Sequence, residues 1–273
     1  MKNILITGCS TGIGYFCAKE LQKDGYRVLA TCRYEKDVKR LQDEGLEAYK
    51  LDLRSSKSIQ SAVDWAVEKS DGKISVLFNN GAYGQPGAVE DLSREVLKEQ
   101  FETNVFGTQE LTNLILPIMR KNGFGRVVYN SSVLGYVSLA YRGAYNASKY
   151  AIEGLCDTMR LELYGSGIDI ILIEPGPIRS DFRKNALKKL KENIDTKNSA
   201  HAKVYEKTLN RLEGEGDIPF TLGEDAVYKA LIRAITDNRA KQRYRVTLPA
   251  KLLWFLRRFL STKLLDVVLR KAS

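Results

Sequence analysis

The 273-residue chain is 44% hydrophobic and carries a formal charge of +10. That length fits one large α/β domain or two small ones, and the composition excludes a disordered chain. The charge is uneven. Arg179 to Lys207 holds nine Lys/Arg against four Asp/Glu, a net +5, and Lys241 to Ser273 holds nine against one, a net +8, so the remainder carries −3. Basicity confined to two late segments argues for local surface roles and against nucleic-acid binding. Cys9, Cys17, Cys32 and Cys156 form no CxxC pair and follow no secretory signal, so they read as reduced thiols of a cytoplasmic protein. His201 is the single histidine and lies in a Lys-rich polar stretch, where it reads as a solvated surface residue. A Ser-His-Asp hydrolase and an imidazole-rich zinc site therefore lack their parts, and no metal is expected.

Lys2 to Thr7 is a short apolar run that predicts a first, central strand. Gly8, Ser10, Thr11, Gly12, Ile13 and Gly14 follow in the stretch TGCSTGIG, and a helical pattern runs from Phe16 to Lys23. Strand, glycine-rich turn and helix form a dinucleotide-binding arrangement, in which glycines let the backbone approach a pyrophosphate and the helix N-terminus offers it free N–H groups. The second strand, Arg27 to Thr31, ends without an acid to bind a ribose diol and has Arg33 just beyond it. A guanidinium there pairs with a 2′-phosphate, so NADP(H) is expected over NAD(H). After the third strand, Leu46 to Leu51, come Asp52 and Leu53; the acid fits either an adenine amino group or the cap of a helix starting near Ser56. A fourth strand, Ile74 to Phe78, leads into Asn79-Asn80-Gly81-Ala82, small and amide residues that permit close approach of a ligand and also stabilise turns.

The next helical stretch starts at Ser93 and contains Asn104 among apolar residues; a buried amide there is either a structural bridge or a water-holding residue. Helical spacing resumes from Thr108 to Arg120, a fifth strand spans Arg126 to Asn130, and a long helix is expected over Ala144 to Tyr164. Tyr145 and Lys149 lie four residues apart on one face of that helix, and Ser132 stands at the strand end before it. A hydroxyl facing a phenol and an ammonium is a proton-transfer arrangement, with Ser131 as the alternative hydroxyl. Val133, Leu134, Val137, Leu139 and Tyr141 make the adjoining cleft apolar, which favours a small lipophilic alcohol or carbonyl substrate. The sixth strand, Asp169 to Glu174, ends in Pro175-Gly176-Pro177-Ile178-Arg179-Ser180. Alternating strands and helices predict an α/β fold: a doubly wound, mostly parallel sheet of about seven strands with helices on both faces.

Residues 181–223 are charged, loosely patterned and punctuated by Gly214 and Gly216, and read as an irregular substrate-binding loop or lid. A helix from Glu224 to Thr236 and a short strand near Tyr244 to Val246 complete a catalytic domain over 1–248. The tail, 249–273, repeats apolar residues at helical spacing among Lys251, Arg257, Arg258, Lys263, Arg270 and Lys271. This basic amphipathic helix pair fits packing on protein, a cover over the cleft, a subunit interface or peripheral contact with an anionic membrane surface.

From Lys2 to about Ser180 the chain resembles the short-chain dehydrogenase/reductase family of the classical type, a single-domain Rossmann fold. TGCSTGIG resembles the Thr-Gly-x3-Gly-x-Gly cofactor loop, and Asn79-Asn80-Gly81-Ala82 resembles Asn-Asn-Ala-Gly with its last two residues exchanged. Asn104, Ser132, Tyr145 and Lys149 match the catalytic tetrad, Tyr145 following Ser132 by thirteen positions. Pro175-Gly176 matches the nicotinamide-side motif, with Ile178 close by and Ser180 where a Thr or Ser is expected. VLATCR, the cleft segment and the basic tail are similar to the branch of 17β-hydroxysteroid and retinol dehydrogenases. The resemblance implies a nicotinamide-dependent oxidoreductase acting on CH–OH groups, NADP-dependent on the Arg33 reading, with Tyr145 as general acid/base, Ser132 on the reacting oxygen, Lys149 favouring the phenolate, and Asn104 on a relay water. It also implies a homodimer or homotetramer. Two alternatives are a catalytically silent nucleotide-binding regulator and an NAD-dependent alcohol dehydrogenase. The Gly8 to Gly14 spacing disfavours an extended-type epimerase.

Overall fold

The apolar runs of the chain become the strands of one sheet in the computed structural model, which describes residues 2–214 and 219–272. The strands are β1 (Asn3–Ile6), β2 (Arg27–Cys32), β3 (Glu47–Lys50), β4 (Ile74–Asn79), β5 (Gly125–Asn130), β6 (Ile168–Glu174) and β7 (Arg243–Arg245). Their order is β3-β2-β1-β4-β5-β6-β7 and every neighbouring pair is parallel. Such strands are covered on both faces, which is why β1 reads as a continuous apolar run: Ile4, Leu5 and Ile6 are all fully buried. The strand order reverses between β1 and β4, which opens a crevice at their C-terminal ends.

Helices α1 (Gly12–Lys23), α2 (Glu35–Asp43), α3 (Ser56–Ser70), α4 (Arg94–Phe101), α5 (Gly107–Lys121) and α6 (Gly143–Glu162) follow the strands in turn. After β6 come α7 (Phe182–Asn193), α8 (Ala202–Glu213) and α9 (Asp225–Thr236), and after β7 come α10 (Leu248–Phe259) and α11 (Thr262–Ala272). Leu21 of α1, Leu41 of α2 and Leu231 of α9 pack on one face of the sheet. Ile59 of α3, Leu111 of α5 and Ile152 of α6 pack on the other. Each such burial contributes roughly 2 kcal/mol. Between α4 and α5 the chain makes a π-helical segment, Glu102–Phe106, which carries the buried Asn104. All four cysteines are buried as free thiols.

The irregular loop expected over 181–223 is instead largely helical, as α7 and α8. Ala186 and Leu190, and Tyr205, Leu209 and Leu212, fall at helical spacing beneath the charged residues. Leu190, Tyr205, Leu209 and Leu212 pack with Ala88, Leu92 and Ala144 in a cluster of their own. The density of charge hid this narrow apolar stripe from the periodicity. Gly216 lies outside the described residues.

The tail forms the expected helix pair, and its two sides differ. Ala250, Leu253, Leu265 and Leu269 pack against Val133, Leu134 and Val137, whereas Leu252, Phe255, Phe259 and Leu264 stay exposed. No helix among the described residues is long and apolar enough to cross a membrane.

Two glycines separate packing from helix propensity. A Cβ at Gly107 would stand 1.7 Å from the Leu53 carbonyl oxygen, backbone against backbone, while one at Gly154 in α6 would meet nothing within 4 Å. Gly107→Ala is expected to lower stability by about 3 kcal/mol and Gly154→Ala to raise it by up to about 1 kcal/mol, both read by urea denaturation.

Candidate active site

The turn from β1 into α1 is shaped by close backbone approach. Gly8 and Gly12 hold φ of 73° and 57°, the left-handed region that glycine adopts without strain. A Cβ on Gly14 would lie 2.2 Å from the Gly8 oxygen, and one on Gly8 would lie 2.7 Å from the Gly81 Cα. Thr7 Oγ1 accepts from the backbone N–H groups of Asn80 and Gly81 at 2.9 and 2.8 Å, and Asn80 Nδ2 donates to the Thr7 oxygen at 3.0 Å. Gly81 of the exchanged pair thus supplies the closest approach, and Ala82 follows it. Thr11 at the N-cap makes no side-chain cap bond, which leaves the first N–H groups of α1, near Ile13, to an anion. Ser180 closes the other side, its Cβ standing 3.0 Å from where a Gly12 Cβ would be. A tight glycine turn that admits no Cβ at Gly8 or Gly14, beside a helix N-terminus with free N–H groups, fits the pyrophosphate of a dinucleotide.

At the far end of the turn, Arg33 is exposed and lies over Tyr34, its Cζ 4.5 Å from the ring centroid. Arg40 of α2, which sequence reading missed, donates to the Ser10 oxygen at 2.5 Å and lies over Tyr15. Its position on a helix with no glycine or motif nearby gave no signal. Asp52 bonds the Arg54 side chain at 2.8 Å, and that bond lowers the Asp52 carboxyl below its ordinary range. The cap of α3 is Ser55, which accepts from Ser58 N–H, so Asp52 does not cap the helix. Leu53 is buried beside it.

Ser132, Tyr145 and Lys149 come together at the C-terminal end of β5. The Ser132 hydroxyl faces the Tyr145 phenol and acts to lower its pKa, and its oxygen accepts from Leu134 N–H at 3.1 Å. Lys149 Nζ donates to the Asn130 carbonyl at 2.6 Å and stands 5.6 Å from the Tyr145 ring centroid. Burial pushes the Tyr145 phenol up to about 12, against the pull of Ser132 and of the Arg142 guanidinium. Burial pushes Lys149 down to about 8, against the pull of Glu153. The protein alone therefore presents Tyr145 as a protonated phenol, an acid rather than a base. The cation acting on it is Arg142, which the sequence reading did not single out although it begins the helix three residues earlier. Ser131 is occupied elsewhere: its hydroxyl donates to Glu153 Oε1 at 2.5 Å.

Asn104 is a structural bridge in this structure. Its Oδ1 accepts from Tyr83 N–H at 3.1 Å, and its Nδ2 donates to the Tyr83 oxygen at 2.9 Å and to Ser148 Oγ at 3.1 Å. It ties the β4 loop to α6 next to Lys149. Pro175 joins the site through its carbonyl, which accepts from Val133 N–H at 2.8 Å; Gly176 follows, packed on Thr247. Ile178 pairs with Leu222 in an isolated bridge.

Helix α7 reaches this site and α8 packs beside it. Phe182 stands 5.2 Å from Tyr145, edge to face. His201, expected to be solvated, is a clasp instead: its Nε2 meets Glu90 Oε1 at 2.5 Å and its Nδ1 meets the Tyr141 hydroxyl at 3.3 Å. Val133, Leu134 and Val137 turn toward the tail rather than an open cleft. Leu139 and Tyr141, with Val89 and Tyr150, line an open groove of about 500 Å³.

A sequence profile described as short chain dehydrogenase matches residues 2–191. The chain belongs to the short-chain dehydrogenase/reductase family, and its parallel sheet with helices on both faces is the fold of that family's known structures. It is 38% identical over 269 residues to an uncharacterized oxidoreductase, YbbO, of Escherichia coli, covering 98% of this chain and 94% of that one. It is 35% identical over 204 residues to human 17-beta-hydroxysteroid dehydrogenase type 1, covering 70% of this chain and 61% of that one. A variant of actinorhodin polyketide ketoreductase, solved with NADPH, superposes with a TM-score of 0.73 at 26% identity over 90% of this chain and 95% of that one. These likenesses define an oxidoreductase with a nicotinamide cofactor.

Glu174 gives the site a pH signature. It is fully buried, and burial, with the neighbouring Glu153, pushes its carboxyl up to about 7 against the pull of Arg245 and Arg243. The folded state then binds this proton more tightly than the unfolded chain. Its contribution to stability is complete below the ordinary glutamate range and is lost as pH rises through about 7. Between pH 5 and 8 the wild type is expected to lose on the order of 3 kcal/mol more stability than Glu174→Gln, measured by urea unfolding at both pH values.

Proposed function

We propose that the protein is an NADP(H)-dependent reductase of lipophilic carbonyl compounds, of steroid, retinoid or fatty-carbonyl type. The observation that carries this is the convergence of Ser132, the half-buried phenol of Tyr145 and the buried Lys149 at the end of β5, beside the glycine turn. When bound, the nicotinamide supplies the hydride. Ser132 holds the carbonyl oxygen, and Tyr145 gives its phenolic proton to that oxygen as negative charge develops. Lys149 holds the Asn130 carbonyl and so fixes the strand end that carries Ser132. Asn104 keeps the Tyr83 loop against α6. Arg33 and Arg40 place two guanidinium groups around the adenosine end, the reason for preferring a 2′-phosphate.

Tyr145→Phe is expected to abolish turnover while leaving cofactor affinity within about twofold. The measurement is NADPH and NADH absorbance against a panel of steroids, retinoids, quinones and medium-chain carbonyls, with cofactor binding followed by titration. Turnover retained by the variant would sink the assignment. Oxidation of neither cofactor by any compound would favour a silent nucleotide-binding regulator.

We read the assembly as a homodimer or homotetramer through the helical segments that contain Asn104 and Tyr145, where Phe106, beside Asn104, and Leu161 and Tyr164, at the C-terminal end of α6, are exposed. Buried free thiols suit a reducing cytoplasm. The outer side of the tail joins exposed Leu252, Phe255 and Phe259 to Lys251, Arg257 and Arg258, a pattern that fits the surface of an anionic bilayer. Wild type is expected to co-sediment with phosphatidylserine vesicles and a triple variant, L252S/F255S/F259S, to remain in the supernatant; equal sedimentation of the two would remove the membrane from the reading.

A further inference from the structure

Beneath the proposed proton-transfer site lies a layer of charged side chains that the hydride-transfer chemistry itself does not use. Glu153 follows Lys149 by four residues, so the two share a face of α6. They hold two consecutive residues at the end of β5. Lys149 Nζ holds the Asn130 carbonyl at 2.6 Å and Glu153 Oε1 holds the Ser131 hydroxyl at 2.5 Å. Ser132, next in the chain, meets Tyr145. The Glu153 side chain passes directly under the Val133–Gly135 turn, for a Cβ on Gly135 would stand 2.8 Å from Glu153 Cγ. Glu153 is 8% exposed and Lys149 5% exposed. Two such groups are kept out of water only where partners replace their hydration.

The partners come from every element packed against them. Glu153 Oε2 accepts from Arg243 Nη2 on β7 at 3.0 Å, and the same nitrogen donates to Asp157 Oδ1 of α6 at 2.7 Å. Arg243 Nε lies 2.9 Å from Glu174 Oε1 on β6, and Arg245 Nε lies 3.0 Å from Glu174 Oε2. Cys156 adds a buried thiol, and Tyr136 turns its hydroxyl away to the Ala250 oxygen at 2.6 Å. Arg160 also donates to Asp157 Oδ1 at 2.6 Å, so Lys149, Arg160, Arg243 and Arg245 face Glu153, Asp157 and Glu174, four cations among three carboxyl groups. Glu174 directly precedes Pro175, so the same layer anchors both turns that border the site.

We propose, on the reading that Ser132, Tyr145 and Lys149 transfer the proton, that Glu153 is a positioning residue of this site: its carboxylate anchors the Ser131–Ser132 turn through one oxygen, is held by Arg243 through the other, and stands one helical turn from Lys149 on the same face of α6. The Glu153 charge favours the ammonium form of Lys149 against burial, which alone drives it toward the neutral amine. Glu153→Gln keeps an oxygen for Ser131 but removes the charge, so it separates the electrostatic role from the steric one. The experiment is an NMR titration of protein labelled with [ε-13C]lysine, the Lys149 resonance being identified by its loss in Lys149→Met.

The wild-type midpoint is expected near the depressed value of about 8, and in Glu153→Gln it is expected to fall by about one unit or more. Loosened packing would do the opposite, because hydration returns a lysine toward its ordinary, higher value. An unchanged or raised midpoint overturns the proposal. Should Glu153→Gln not fold, Arg243→Met leaves the carboxylate and removes its cation, and the midpoint is expected to rise; an unchanged midpoint there overturns it equally. With a turned-over carbonyl substrate, kcat/KM of Glu153→Gln is expected to fall at least about tenfold, its alkaline limb moving to lower pH. Because the titration needs no substrate, a protein that reduces nothing yet shows the shift would refute the reductase reading and leave the Glu153–Lys149 coupling standing.

Discussion

Lys149 is 5% exposed and donates to the backbone carbonyl of Asn130, and a buried ammonium in that position constrains everything near it. Its charge cannot be left without partners, because desolvation of an ion is unfavourable by several kcal/mol even after relaxation. One partner is a carbonyl at the end of a parallel strand. Another is Glu153, a turn further along the helix, which in turn needs Arg243. The strand end, α6 and the last strand of the sheet are therefore joined by charge as well as by apolar packing. The Ser132–Tyr145 contact is the product of that joining: Lys149 fixes the residue two before Ser132, and the helix that carries Lys149 also carries Tyr145.

The glycine turn obeys a different constraint, the absence of space. Gly8, Gly14 and Gly81 approach one another's backbones so closely that a methyl group on Gly8 or Gly14 would collide with main-chain atoms. Thr7 uses its single hydroxyl oxygen to collect two consecutive N–H groups of the β4 loop, and Asn80 donates in return to the Thr7 and Gly8 carbonyls. The glycine turn is thus held by hydrogen bonds among neutral groups, while the proposed proton-transfer end, at Tyr145 and Lys149, is held by ions. That division suits their tasks. An anion-binding turn must leave its own N–H groups free, whereas a site that moves a proton must hold its cation in a fixed state.

The division also explains what could be read in the sequence. Glycine spacing, apolar runs and the Tyr-x3-Lys pair are local signals, and they located the strands, the turn and the triad of Ser132, Tyr145 and Lys149. The charged layer was illegible because Glu153, Glu174, Arg243 and Arg245 are brought together only by the adjacency of β6 and β7. Each alone resembles a solvated charge. His201 misled for the same reason: its polar neighbours in sequence are not its neighbours in space, which are Glu90 and Tyr141. The lid read as irregular because Lys and Arg outnumber the apolar residues that seat α7 and α8. Among the missed residues, Arg142 is the one nearest the chemistry, and nothing in its local sequence distinguishes it from the many other basic side chains.

Lid and tail together define how the site is covered. Tyr141 adopts φ of 59°, a left-handed conformation unfavourable for an aromatic residue, immediately before the helix that presents Tyr145. Its hydroxyl is taken by His201 and its ring packs edge to face with those of His201 and Tyr205, so the strained backbone is held from the lid side. On the opposite side, α10 and α11 press Ala250 and Leu269 onto Val133, Leu134 and Val137. The segment between Ser132 and Tyr145 is therefore clamped between two helical covers, one polar and aromatic, the other apolar. Phe182 of α7 lies edge to face with Tyr145. Helices α7 and α8 are seated by buried Leu190 and Tyr205 as well as by the histidine clasp, and the tail is seated by buried Ala250 and Leu269 and by Arg245 stacked 4.1 Å from Trp254. Both covers are therefore anchored by buried side chains, and α7 is the one that touches the Tyr145 ring.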